Sequence, residues 1–119
     1  MKKFICLLVL IVIILPSCGA TEVEYYYETT VPTFTCVTGI EETERYTKYG
    51  WRTYAYKCDI SETSKLAEKY INYLKKKHSY VLVDNKYNTD VILAKNANEV
   101  TIGISTDGVI EILPRVLQN

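Results

Sequence analysis

Hydrophobic and polar positions change their period three times along this chain. From Phe4 to Leu15 there is no alternation: twelve apolar residues run unbroken behind Lys2 and Lys3. Between Asp59 and His78 apolar side chains recur at helical spacing, with Leu66, Ala67, Tyr70, Ile71 and Leu74 on one stripe and Lys65, Glu68, Lys69, Asn72 and Lys76 opposite. This predicts an amphipathic helix capped by Asp59 or Ser61, with Glu62 in its first turn. Lys75, Lys76 and Lys77 close it where the helix dipole is negative, and His78 is a helix-end residue. Beyond Tyr80 the period shortens towards two, and "YVLVD" (80–84), "DVILAK" (90–95), "EVTIGIS" (99–105) and "GVIEIL" (108–113) read as strands. Two β-rich stretches precede the helix, "TFTCVTGI" (33–40) and "WRTYAYKCDI" (51–60), and pair as a long hairpin across the polar segment ending at Gly50. The fold class is α+β: one amphipathic helix packed on an antiparallel sheet, in the order β-β-α-β-β-β-β, with tyrosines on the other sheet face and the edges.

Registers follow from the alternation of side chains across a strand. For the last hairpin, a three-residue loop Thr106-Asp107-Gly108 sets Ile104 beside Ile110 and Ile102 beside Ile112. A two-residue loop would place Ile104 beside Glu111, so the longer loop is preferred, with Gly108 in the left-handed conformation. Asparagine is the next best fit for such a backbone. The same rule applied to the preceding turn gives a loop Asn96-Ala97-Asn98, with Lys95 facing Glu99, Ala94 facing Val100 and Ile92 facing Ile102.

The opening apolar run is too short to span a bilayer, which takes about 18 to 20 such residues. Behind two cations it has the form of a secretory signal peptide. Its ending, "LPSC", resembles the bacterial lipobox: Leu15 stands three positions before Cys18 and the small Ser17 directly before it. The resemblance implies that Cys18 receives a diacylglyceryl group and becomes the first residue of the mature chain. The alternative is an uncleaved anchor, or secretion with Cys18 unmodified. The division expected is therefore a signal peptide over 1–17, a lipidated N-terminus and tether over 18–31, and a single domain over 32–119. Cleavage would remove 17 of the 119 residues and leave 102, enough for one modest core.

Cysteine usage narrows the picture further. With Cys6 in the signal peptide and Cys18 lipidated, Cys36 and Cys58 remain, the number a disulfide needs in an oxidising compartment. A Cys36–Cys58 bridge is expected, the alternative being two buried thiols. No metal or other cofactor is expected, since two cysteines and the lone His78 are too few ligands for zinc. Removing Lys2 and Lys3 from the 14 cations leaves 12 against 14 anions, a balance that offers nucleic acid no general attraction.

"PTFTCVTGI", the Tyr-x-Tyr of "WRTYAYKCDI" and "KYINYLKKKHSYVLV", in this order of elements, resemble small uncharacterised lipoproteins and secreted domains of Gram-positive, clostridia-like bacteria. The resemblance covers most residues from about 31 to 114 and carries no activity with it. The chain holds 11 tyrosines, a residue type enriched at interfaces. Tyr25, Tyr26, Tyr27, Tyr54 and Tyr56 are the candidate binding surface. The functional expectation is a membrane-anchored extracytoplasmic lipoprotein, a noncatalytic binding module for an envelope protein or glycan. A structural accessory subunit of an envelope complex is the alternative. A small hydrolase ranks last: two of Asp84, Asp90 and Glu99 could form a glycosidase pair, but turns favour such residues anyway.

Overall fold

The computed structural model describes residues 23–84 and 90–117. Their elements run α1 (Phe34–Thr38), β1 (Glu44–Lys48), β2 (Trp51–Lys57), a 3-10 turn (Ile60–Glu62), α2 (Thr63–His78), β3 (Val81–Asp84), β4 (Asp90–Lys95), β5 (Asn98–Ile104) and β6 (Val109–Val116). Six strands form one antiparallel sheet in the spatial order β1-β2-β6-β5-β4-β3. The long helix buries Thr63, Ala67, Tyr70 and Leu74 against it, with Leu66 and Ile71 flanking. The α+β class, the strand and helix order and the helical stripe are those the sequence predicts. Neither Asp59 nor Ser61 caps α2 directly: Asp59 precedes the 3-10 turn, and its carbonyl accepts the Thr63 hydroxyl at 3.0 Å.

The first strand is made by different residues from those expected. Segment 33–40 contains a helix, because the Thr33 side chain accepts the Cys36 amide at 3.1 Å and Gly39, at φ 82°, ends the turn in the left-handed region. An N-cap threonine and a terminating glycine outweigh the β-propensity of the residues between them. The partner of β2 is drawn from the polar segment instead. Lys48 pairs with Trp51 across a two-residue turn in which Tyr49 (φ 55°) and Gly50 (φ 80°) both take positive φ, the tight turn that suits twisted hairpins. As an edge strand, β1 is mostly exposed and so lacks a hydrophobic alternation.

This rearrangement removes the expected Cys36–Cys58 bridge. Cys36 lies on α1 rather than opposite β2, and Cys58 is a free thiol. Burial, with Asp59 nearby, pushes the Cys58 thiol above its ordinary range. Cys36, though not free, is not joined to it.

The last hairpin has the predicted register: Ile104 pairs with Ile110 and Ile102 with Ile112, Ser105 donates to the Val109 carbonyl at 2.9 Å, and Gly108 sits at φ 89°. The preceding turn does not. Its loop is Asn96-Ala97, with Asn96 at φ 57°, so Lys95 pairs with Asn98, Leu93 with Val100 and Val91 with Ile102. That register puts Leu93 wholly inside the core, where a three-residue loop would have offered the smaller Ala94.

The described part of the expected tether, residues 23–31, is folded onto the domain. Tyr26 donates to the Val31 carbonyl at 2.9 Å, Tyr25 forms a bridge with Pro32, and Tyr26 and Val31 are buried. Four tyrosine hydroxyls hold this segment. Tyr56 meets the Tyr26 hydroxyl at 2.5 Å, and Tyr26 accepts the Phe34 amide at 3.0 Å. Tyr70 donates to the Pro32 carbonyl at 2.6 Å and Tyr80 to the Thr30 carbonyl at 3.2 Å.

Candidate binding site

A six-stranded sheet with its helix on one side leaves a second face, and the side-chain period of two decides what stands there. Opposite the core, β1 presents Tyr46 and Lys48, β2 Trp51 and Thr53, β6 Glu111, Leu113 and Arg115, β5 Glu99, Thr101 and Gly103, and β4 Asp90 and Ile92. Neither described helix packs on this face, whose Thr53 and Leu113 are nonetheless buried. Gly103 lies between Asp90 and Glu111 in the ladder, and the missing side chain leaves a hollow in the sheet surface. A Cβ there would sit 3.0 Å from Asp90 Oδ1 and 3.9 Å from Glu111 Oε1, so two carboxylates converge over the glycine.

The hollow is a cavity of about 270 Å³ walled by Lys48, Tyr49, Trp51, Asp90, Thr101, Gly103, Glu111 and Leu113. Its polar groups are fixed from below. Lys48 Nζ donates to Glu111 Oε1 at 2.7 Å, and the Tyr46 hydroxyl donates to Oε2. Burial alone would raise the Glu111 pKa, but these two donors outweigh it and hold the carboxyl below its usual range. The same hydrogen bond, with burial and the charges of Glu111 and Glu44, pushes the Tyr46 hydroxyl up to about 12. Lys48 is raised, chiefly by its hydrogen bond to Glu111. At neutral pH the floor is therefore an ionised carboxylate held by a neutral phenol and a cation. Beside it, Arg115 grips Glu99 through Nε at 2.8 Å and Nη2 at 2.5 Å, and its guanidinium lies 3.3 Å from the Trp51 ring centre. Trp51 is thereby braced as a wall. Asp90 makes no side-chain hydrogen bond or ion pair among the described residues.

The tyrosines expected to form a binding surface are split by the fold. Tyr26, Tyr54 and Tyr56 are core residues, 5 %, 4 % and 1 % exposed: β2 turns Tyr54 and Tyr56 towards the helix side, and Tyr26 is drawn in against them from the N-terminal segment. Only Tyr25 and Tyr27 are exposed, and Tyr27 stacks with Arg52 at 4.7 Å. Cys18 lies outside the described residues. Of the three acids weighed as a glycosidase pair, Asp84 ends β3, Glu99 is held by Arg115, and Asp90 alone reaches the hollow. His78 closes α2 as expected, its Nε2 3.1 Å from the Tyr73 hydroxyl, and burial with Lys95 lowers its pKa.

Lys48, Trp51, Gly103 and Glu111 went unread in the sequence as a group. Glu111 between Ile110 and Ile112, and Gly103 between Ile102 and Ile104, were the available signals: a charge and a gap on the polar side of alternating strands. No protein-family model matches the chain, and neither a curated protein nor a solved structure matches it.

Proposed function

We propose that the protein is a membrane-anchored extracytoplasmic lipoprotein whose domain is a noncatalytic binding module for an envelope glycan. The hollow on the sheet face opposite the helix carries this reading. It combines a small concave volume, aromatic walls and converging polar groups, the combination ligand sites share. The anchor is supported by Lys2, Lys3, the apolar run and the Leu15-to-Cys18 ending. No described helix is long and apolar enough to cross a membrane.

The test is retention of the full chain, purified in detergent from a processing bacterial host, on protein-free envelope polysaccharide. Retention that falls in Trp51→Ala and persists in Tyr27→Ala is expected; equal retention of both variants contradicts the site. A protein partner within an envelope complex is the second reading, favoured by the edge strand β3, where Val81, Leu82 and Val83 are 61 %, 53 % and 54 % exposed. Capture of a defined envelope protein, lost on Leu82→Lys with polysaccharide retention absent throughout, would favour it.

A further inference from the structure

We infer that the hollow takes a single pyranose unit carrying a free amino group, an inference that rests on the glycan-binding reading. Its volume, about 270 Å³, lies just below the range of drug-sized ligand pockets, which suits one ring rather than a chain of them. The walls supply two aromatic side chains: Trp51, braced by Arg115, and Tyr49, 83 % exposed, whose ring lies 5.6 Å from Lys48 Nζ. The charges then choose among sugars. Lys48 is committed to Glu111, and Arg115 to Glu99, so neither cation is left over for a ligand.

Asp90 is the remaining charge. Its Oδ1 projects over Gly103, where no side chain competes; the side chain makes no hydrogen bond or ion pair among the described residues, and Lys48, the cation whose charge it feels, is bonded to Glu111 instead. Two carboxylates against one lysine leave the hollow one negative charge in excess. An acidic sugar is repelled there, a neutral one leaves Asp90 unpaired, and an ammonium substituent supplies the missing partner. Thr101 also lines the hollow.

The experiment is calorimetric titration of the full chain in detergent with glucosamine, glucose and N-acetylglucosamine, at a pH where the amine of glucosamine is protonated. Glucosamine should bind about tenfold tighter than the other two, the lower end of what a hydrogen bond to a charged group contributes. Asp90→Asn should erase that preference, and Gly103→Ala should weaken all three sugars by filling the hollow. Equal affinity for the three sugars, or a preference that survives Asp90→Asn, overturns the amino-sugar inference. If the preference is absent but Gly103→Ala still abolishes retention on polysaccharide, the inference fails and the binding module stands. If neither sugar nor polysaccharide binds, both fall.

Discussion

Tyrosine hydroxyls decide how the N-terminal segment is held. Tyr26→Phe strands the buried Phe34 amide and removes the partner of Tyr56, which should cost about 1–3 kcal/mol in denaturant unfolding. Tyr27→Phe, at an exposed ring, should leave the midpoint unchanged. The same residues set a pH limit. Burial raises the pKa of Tyr26, Tyr56 and Tyr70, so the folded chain holds these protons more tightly than the unfolded one, where tyrosine titrates near pH 10. Their contribution is complete below about pH 10 and is lost as the pH rises above it. An ultraviolet titration should show these phenols ionising together with the loss of circular dichroism; ionisation with the fold intact would contradict their burial. Composition made the tyrosines visible, but not which faced inward. That depended on the strand parity of β2, fixed by a β1 partner whose polar sequence carries no hydrophobic alternation.

Among the elements, those with a strong period were legible and those set by a turn were not always so. The stripe of α2 and the β5–β6 register follow from apolar spacing. The helix α1 follows from a threonine and a glycine six residues apart, a signal easily hidden by β-branched neighbours. At the Asn96-Ala97 turn the competing registers send either Val91 and Leu93 or Ile92 and Ala94 into the core, so packing decides what alternation leaves balanced. The Gly108 turn is more demanding than its backbone angle alone suggests. A Cβ there would lie 2.6 Å from the Cys58 carbonyl, while Cys58 donates to the Gly108 carbonyl at 2.7 Å. Gly108→Asn, although suited to positive φ, should therefore destabilise by more than about 1 kcal/mol, much as Gly108→Ala does. Thermal unfolding of the two variants checks this; a tolerated asparagine would mean the carbonyl gives way.

At the scale of the whole molecule, a sheet covered by a helix on one side places its chemistry on the other. The candidate site could not be read from neighbouring residues, because Lys48, Asp90, Gly103 and Glu111 come from four strands, β1, β4, β5 and β6, and meet only through the registers of four pairings, two of them made by β2. The proposed membrane address is independent of the sheet and rests on the order of charge, apolar run and cysteine in the sequence. Cys18→Ala should abolish incorporation of labelled fatty acid in a bacterial host and release the protein from the membrane fraction; labelling that persists would contradict the anchor. The central claim, that this face binds envelope glycan, has a built-in reporter, since Trp51 is the only tryptophan in the chain and walls the hollow. Titrating the full chain with envelope polysaccharide should give a saturable change in tryptophan emission that Gly103→Ala suppresses. Unchanged emission at polysaccharide concentrations where the protein is fully retained would place the binding elsewhere and contradict the account.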